Sequence, residues 1–445
     1  MASTYLSRTL VTPTSTTQYT FSAWVKRTTT VGSSSLNEVI FSNWSSTSNV
    51  GYIRFEDQTD TLHIYDNYGG TQKLNYRTTA SYRDTNAWYH IVVNADTSRS
   101  SGDRCRLYVN GEQVSLTKVS DSTGTLGMLS ANSTNGMRLG AINNTGGTEY
   151  YLGGLMSHVH FIDGGIYEAS DFGEYDANGV WKIKTSPSVT YGTNGFFILK
   201  DGNSVTDQSG NGNNFTVGGG TLTNTEDNPS NVFATLNKLA TGYGSTVNWS
   251  NGNTTVEDPN GSASGINMLV FSTLGVTSGK WYWEAKISNF STTSGHSYGI
   301  LRTTGDLYGD SSSSNRIYHI FADTSLYLGK YGSNVETVSG LSSGDIIGIA
   351  FDCDNGTVQY YRNGSTLGSQ ITGVSSANDG YIYFPYFGLE SSSSGRYGKY
   401  EVNFGNGYFS STAVASAGTN ASGIGIFEYD VPTGYTALST KGLNL

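Results

Sequence analysis

The sequence predicts an all-β protein in which two antiparallel β-sandwich domains, jelly-roll-like in form, are joined by an irregular connector poor in β-structure. The first observation is a hairpin pattern over 344–364, where Ile347, Ile349 and Phe351 alternate with small or polar residues before an Asp-Asn-Gly turn. The same plan recurs over 87–114 and ends in Asn-Gly. Composition agrees, because 57 Gly, only 6 Pro and 13% aromatic residues suit short strands joined by tight turns.

The first domain is predicted over 1–175. Its clearest strand is 19–26, in which Phe21, Ala23 and Val25 share one face. One helical turn is expected, at 166–174. Further strands are predicted at 39–41, 51–55, 61–65, 136–141 and 153–163.

The connector is predicted over 176–245, where periodicity is weak apart from a short stretch at 196–200 that predicts a strand. Within it, the Gly- and Asn-rich run 207–214 starts with the Asp spacing of a calcium loop. The twelfth position from Asp207 is Gly218, so the Glu that closes such a loop is missing. Plain turn chemistry is the favoured interpretation.

The second domain is predicted over 246–410, followed by a C-terminal extension, 411–445. In its most regular strand Trp281, Trp283 and Ala285 alternate with polar or aromatic neighbours. Other strands are predicted at 297–301, 316–321, 381–389 and 400–404.

Charge and patterning exclude several classes of function. The net charge is −10 and no cluster of Lys and Arg is present, so nucleic acid is not an expected partner. No apolar run is long enough for membrane insertion, and the N-terminus does not read as a signal peptide. The two cysteines, Cys105 and Cys353, fall in different domains and are expected to be free thiols.

Two family resemblances rest on ordered motifs. The first half, with YTFSAWVKR, AWYHIVVNADT, RLYVNGEQV and LGGLMSHVHFIDGG, resembles the laminin-G-like, concanavalin A-like jelly roll. The second half, with GKWYWEAKI, SYGIL, YFPYFGL and EVNFGNGYF, resembles the SPRY domain. These resemblances imply a carbohydrate- or protein-binding module followed by an interaction module.

The order of the parts narrows the resemblance. A laminin-G-like half, a connector containing DQSGNGNNF and NPSNVFATLNKL, a SPRY half and the ending VPTGYTALSTKGLNL are together similar to virion proteins of marine tailed phages. This resemblance implies a tail-fibre or other structural protein, made in the host cytoplasm and located in the virion.

The candidate metal-ligating and catalytic residues are better explained by structural roles. His158 and His160 lie two apart on one predicted strand, but no third zinc ligand is near them in sequence, so both are expected to face outward as ordinary residues. The carboxylates are scattered in turns without the pairing that a glycosidase needs. No catalytic residue, metal or cofactor is therefore predicted, and the chain is expected not to be an enzyme.

Binding of a sugar is the better hypothesis. Aromatic faces stack on sugars, while Asn and similar groups bond to hydroxyls, and the predicted loops are rich in both. The candidate ligand-binding residues are Asn43 with Trp44, Asn67 with Tyr68, Tyr150 with Tyr151, and Tyr308 and Tyr331 in the second half.

Three functions remain open at this point. The first is a tail-fibre or appendage protein that binds a host cell-surface glycan. The second is a capsid or tail decoration protein that binds other virion proteins, and the third is a depolymerase that degrades capsule. Sheet edges need covering and phage appendages are symmetric, so a homotrimer or another symmetric multicopy assembly is expected.

Overall fold

The computed structural model divides the chain into two compact units, Met1–Asn224 and Thr225–Leu445. Both are built almost entirely from antiparallel strands, which confirms the predicted fold class. No helix in the part of the chain described is long and apolar enough to cross a membrane. The residues described are 3–29, 37–130, 136–242, 247–258, 265–290, 295–306, 313–320, 326–376, 379–391 and 397–444.

The first unit contains eighteen strands, one α-helical turn, α1 (Ala169–Phe172), and one 3-10 turn, Gly127–Leu129, among its described residues. The helical turn lies inside the stretch where the sequence predicts one. The strands are β1 (Tyr5–Arg8), β2 (Gln18–Arg27), β3 (Glu38–Ser46), β4 (Asn49–Phe55), β5 (Thr61–Tyr68), β6 (Thr71–Ser81), β7 (Trp88–Asp96), β8 (Cys105–Val109), β9 (Glu112–Gln113), β10 (Leu116–Asp121), β11 (Met137–Leu139), β12 (Ile142–Asn144), β13 (Gly147–Glu149), β14 (Gly154–Asp163), β15 (Gly173–Tyr175), β16 (Trp181–Ile183), β17 (Phe196–Ile198) and β18 (Thr216–Gly219).

Two sheets form the first sandwich. One has the order β10-β6-β5-β4-β3-β11-β1-β18 and the other β17-β14-β2-β7-β8-β9. Their inner faces enclose one apolar core, in which the rings of Phe21 and Phe41 stack 4.8 Å apart and Ile64 and Val93 are fully buried. A separate hairpin, β12–β13, packs against β3.

The stretch predicted as a connector is divided between the two units. In the first unit Phe196–Ile198 pairs with β14 and extends the six-stranded sheet. Residues after β14 also cover the outer face of that sheet, and the expectation that His160 faces outward into solvent is therefore wrong. The His160 ring is buried and stacks on Phe197 at 3.9 Å, beside Phe172 and Tyr191.

A buried ion network ties β2 to neighbouring segments of the first unit. The guanidinium of Arg27 donates to Glu38 Oε2 at 2.7 and 3.0 Å, to Asp60 Oδ1 at 2.9 Å and to the carbonyl of Tyr82 at 2.7 Å. It also lies 4.2 Å from the Phe55 ring centroid. Arg27, Glu38 and Asp60 are all almost completely shielded from solvent.

The second unit contains seventeen strands and two 3-10 turns, Ser313–Asn315 and Gly442–Asn444, among its described residues. The strands are β19 (Leu236–Gly242), β20 (Asn248–Ser250), β21 (Thr255–Asp258), β22 (Gly265–Ser272), β23 (Lys280–Ser288), β24 (Gly295–Thr303), β25 (Arg316–Ile320), β26 (Tyr327–Lys330), β27 (Ser333–Thr337), β28 (Ile346–Asp352), β29 (Thr357–Arg362), β30 (Ser365–Thr372), β31 (Ile382–Ser391), β32 (Gly398–Asn403), β33 (Tyr408–Phe409), β34 (Thr412–Ala413) and β35 (Thr436–Ala437).

The second unit is also a sandwich of two sheets. Their orders are β19-β22-β31-β24-β25-β26-β27 and β20-β21-β32-β23-β28-β29-β30. The hairpin that the sequence singles out is β28–β29, and its predicted inward residues Ile347, Ile349 and Phe351 are buried in the core beside Trp283. The alternation of residues in the sequence thus correctly predicted which face of this hairpin lies in the core.

The C-terminal extension packs on the second unit. Its strand β35 pairs in parallel with β23, and Ile424 and Phe427 lie in an apolar cluster with Tyr282. Glu284 on β23 is buried, and its carboxylate accepts the backbone N–H groups of Glu428 at 2.8 Å and Tyr429 at 2.9 Å. The extension is therefore an integral part of the sandwich.

Candidate functional site

The outer face of the eight-stranded sheet in the first unit carries aromatic side chains in register. Tyr52 pairs with Tyr65 across β4 and β5, while their neighbours Ile53 and Ile64 lie in the core. Because strand residues alternate between faces, both tyrosines point away from the core. Trp44 pairs with Val50 two register rows away and therefore lies on the same face.

These aromatic residues form one cluster, which we call the aromatic face: Trp44, Tyr52, Tyr65 and Tyr150. All four are half-buried and pack against a buried apolar floor of Val39, Val50 and Ile142. The Tyr52 and Tyr65 rings stack with centroids 5.0 Å apart and planes 18° from parallel. Burial raises the pKa of the Tyr52 hydroxyl to about 12, so this group is protonated at neutral pH and can donate a hydrogen bond.

An ionic cluster borders the aromatic face. The Glu56 carboxylate accepts from Arg77 Nε at 2.6 Å and Arg54 at 3.1 Å, and lies 3.1 Å from His63 Nδ1. Although burial alone would raise the pKa of Glu56, the hydrogen bonds from His63 and Arg77 hold it well below its usual value. The guanidinium of Arg54 also lies 4.6 Å from the Tyr52 ring centroid, so the cluster supports the aromatic face.

The structure brings two of the predicted site residues together, since Trp44 and Tyr150 both belong to the aromatic face. Asn67 pairs with Val50 across β4 and β5, at the edge of the aromatic face. Its amide Nδ2 donates to the carbonyl of Thr47 at 3.4 Å. Tyr68 is the last residue of β5, next to the β5–β6 turn, and is 38% exposed.

Two other predicted residues of the first unit lie elsewhere. Asn43 is fully buried on the opposite side of β3, and its amide donates to the carbonyls of Gly127, Met128 and Ser130, each at 3.1 Å. It therefore anchors the 3-10 turn. Tyr151 packs beside Tyr5, with ring centroids 6.3 Å apart.

In the second unit Tyr331 occupies the turn between β26 and β27. Its ring lies 3.7 Å from the guanidinium carbon of Arg302, and its hydroxyl donates to the carbonyl of Val374. Tyr308, the other residue predicted in this half, lies outside the described residues.

A second aromatic array covers the outer face of the six-stranded sheet. His90 stacks between Trp24, at 4.8 Å, and Trp181, at 5.9 Å. Burial lowers the pKa of His90 to about 3, so it is neutral, and its Nδ1 accepts the indole N–H of Trp181 at 2.9 Å. Trp181 and Tyr175 line an open cleft of about 260 Å³. Since Trp181 is held by this stack, it serves mainly to cover the sheet.

The described residues contain no group of three or more His, Cys, Asp or Glu placed to hold a metal ion. At the predicted turn, Asp207 is occupied by hydrogen bonds within the loop, accepting the backbone N–H groups of Phe197, Ser209 and Asn213 at 2.8–2.9 Å. His158 Nδ1 lies 2.8 Å from Ser157 Oγ, which supplies an ordinary hydrogen-bond partner for this ring.

Sequence reasoning missed Tyr52 and Tyr65, the centre of the aromatic face. Both lie on strands that the sequence predicts, at positions alternating with core isoleucines. The alternation therefore indicated an outward aromatic pair, but the β4–β5 register was needed to place one ring beside the other.

Comparison with known proteins identifies a domain in each unit. Residues 2–166 match the family described as the concanavalin A-like lectin/glucanases superfamily, and residues 280–406 match the SPRY domain. No curated protein matches the chain significantly.

Solved structures resemble parts of the chain. The SPRY domain of human HERC1 is 20% identical, with 37% of this chain and 96% of that one covered and a TM-score of 0.30. A putative carbohydrate-binding protein from Bacteroides ovatus is 21% identical, with 50% and 58% covered and a TM-score of 0.35. A pentraxin from Limulus polyphemus is 16% identical, with 37% and 72% covered and a TM-score of 0.28. By its two family matches, the chain carries a concanavalin A-like domain followed by a SPRY domain.

Proposed function

We propose that the chain is a non-enzymatic structural protein of a bacteriophage virion, an appendage protein of the tail-fibre kind that contacts host-surface glycan through the aromatic face. The observation that carries the binding part is the stacked Tyr52–Tyr65 pair with Trp44 and Tyr150 over one apolar floor. The virion part rests on the order of domains and connector motifs, which is similar to that of phage virion proteins.

A neutral glycan is the ligand that fits this face. Half-buried rings offer apolar surface for stacking, and the protonated Tyr52 hydroxyl offers a hydrogen bond to a sugar hydroxyl. The charges beside the rings are already engaged with one another, as Glu56 contacts Arg54, His63 and Arg77. The lectin-containing superfamily matched by residues 2–166 supports the same ligand class.

Binding without catalysis is favoured by the state of the bordering carboxylate. A glycosidase acid must hold a proton near neutral pH, whereas hydrogen bonds keep Glu56 ionised. We expect no release of new reducing ends when the purified protein is incubated with host polysaccharide.

Adhesion through this face requires many copies. A shallow face buries little of a sugar, so each site is expected to bind near the millimolar range, about 4 kcal/mol. In a homotrimer or another symmetric multicopy assembly, avidity would raise the overall affinity for a glycan-covered surface. Sedimentation that finds only monomers, with or without virion neighbours, would contradict the multicopy proposal.

The test is a set of substitutions that keep strand propensity. Tyr52→Thr and Tyr65→Thr each remove one stacking ring, which should weaken neutral-glycan binding by about twofold to tenfold, since such contacts are worth about 0.5–1.5 kcal/mol. Binding of the purified variants is measured on immobilised neutral glycans. Tyr175→Thr is the matched control, because this half-exposed tyrosine lies away from the aromatic face.

Phage particles that carry each variant distinguish glycan binding from a decoration role, when both cell adsorption and incorporation into particles are measured. Loss of cell adsorption with normal incorporation into particles supports the proposal. Loss of incorporation, with normal adsorption for each incorporated copy, would assign the aromatic face to a neighbouring virion protein.

A further inference from the structure

The β26–β27 turn of the second unit has an unusual residue, a tyrosine, at a position of positive φ. Among the described residues, four hairpins close with two residues of positive φ, a geometry that favours Gly and Asn, and one of these turns is Gly69-Gly70. Two of them are Asn110-Gly111, at φ 51° and 90°, and Asn363-Gly364, at 49° and 79°. The fourth is Tyr331-Gly332, at 52° and 83°, although tyrosine is disfavoured in this conformation.

The strained tyrosine holds an arginine in place. The Arg302 guanidinium carbon lies 3.7 Å from the Tyr331 ring centroid and 4.6 Å from that of Tyr381. Its Nε donates to Asn315 Oδ1 at 3.4 Å. With two rings and one amide fixing the guanidinium, little side-chain freedom remains to be lost when a ligand binds.

Among the described residues, Arg302 lacks the ion pair that most other arginines make. Within the described residues no carboxylate lies within ion-pairing distance of it. Asp379, nearby on the loop that contributes Tyr381, is occupied, since it accepts the hydroxyl of Tyr383 at 2.5 Å and the backbone N–H groups of Tyr381 at 3.0 Å and Ser376 at 3.1 Å. A planar guanidinium that forms no ion pair with a described residue fits a bidentate carboxylate.

We propose that Arg302, Tyr331 and Tyr381 form a binding site for the carboxylate of an acidic sugar, of the uronate class. A uronate brings one carboxylate for the guanidinium and several neutral hydroxyls for the surrounding amide and phenol groups. An acidic peptide fits less well, because it offers a carboxylate for the guanidinium but lacks the several ring hydroxyls that a uronate presents to the surrounding polar groups. This site is separate from the aromatic face, which lies in the other unit.

The test uses trigalacturonate, the neutral galactotriose and triglutamate as probes in calorimetric titrations of the full chain at low salt. Arg302→Gln should weaken trigalacturonate binding by about tenfold, since charge-assisted hydrogen bonds are lost. Tyr331→Asn should also weaken binding, because it removes the ring that holds the guanidinium while asparagine suits the backbone of this turn. Arg362→Gln is the matched control, since Arg362 is already paired with Asp345 at 2.7 Å.

The outcomes separate this site from the aromatic face. Trigalacturonate binding that survives in Tyr52→Thr and Arg362→Gln but falls in Arg302→Gln and Tyr331→Asn supports the proposal. Equal binding of galactotriose, equal or tighter binding of triglutamate, unchanged affinity in Arg302→Gln, or no binding of trigalacturonate to the wild-type chain at millimolar concentration would each overturn it.

Discussion

Removing the buried guanidinium of Arg27 should destabilise the first unit more than any surface change of the same charge. Arg27→Met keeps the apolar stem but removes four hydrogen bonds, to Glu38 twice, to Asp60 and to the carbonyl of Tyr82. Two carboxylates with almost no solvent exposure then lose their shared cation. Breaking a buried ion pair in this way costs about 3–5 kcal/mol.

The remaining contacts set where in that range the loss should fall. Asp60 keeps a contact with the largely exposed Arg83 at 3.1 Å, and Glu38 keeps the backbone N–H of Gly153 at 3.1 Å. These groups compensate only part of the lost charge, so we expect a loss near 3 kcal/mol at pH 7. Arg27→Lys, which restores a cation without the fork of donors, should recover part of it.

Urea unfolding followed by fluorescence measures the loss, and hydrogen exchange read peptide by peptide assigns it to the first unit. The matched control is Arg106→Met, because Arg106 pairs with Asp103 at 2.8 Å in a solvent-exposed setting, where the cost should stay below about 1 kcal/mol. A loss below about 1 kcal/mol in Arg27→Met, or one no larger than in the control, would refute the reasoning.

Two further predictions follow from buried titratable groups. Burial raises the pKa of Glu284 to about 7, so between about pH 5 and 7 the folded chain holds a proton that the unfolded chain has lost. The free energy of unfolding should therefore fall as pH rises from about 5 to 8. In urea unfolding, Glu284→Gln should flatten this dependence on pH. Burial also raises the pKa of Cys105 to about 12 and of Cys353 to about 11, so alkylation at pH 8 should be slow until urea unfolds the chain. Fast stoichiometric labelling of native protein would contradict the second prediction, and an unchanged slope the first.

Local periodicity predicted the hairpins but not how their outer faces are used. The side of Ile347 or Tyr52 follows from alternation alone, because successive residues of a strand point to opposite faces. Whether an outward residue meets solvent depends on distant segments. Val92 and Ile162 face away from the main core of the first unit, yet both are fully buried against α1.

The same limit explains the candidate residues. Trp44 and Tyr150 are about a hundred positions apart, and the β12–β13 hairpin folding over β3 brings them to one floor. Asn43 and Trp44 are adjacent in sequence, yet they lie on opposite faces of β3. Composition could suggest an aromatic or an amide residue as a sugar ligand, but the register of β3 in the sheet determines which of the two side chains points outward.

Each of the two candidate sites contains one tyrosine with a strained backbone. Tyr150, at φ 54°, and Tyr331, at φ 52°, both adopt a conformation that tyrosine avoids. The carbonyl of Tyr150 accepts the N–H of Val39 at 2.9 Å, while its ring packs on the apolar floor under the aromatic face. The ring of Tyr331 instead packs against the guanidinium of Arg302. Glycine or asparagine would satisfy either backbone at lower cost, so the rings themselves account for the choice of residue, and strain of this kind tends to gather at binding sites.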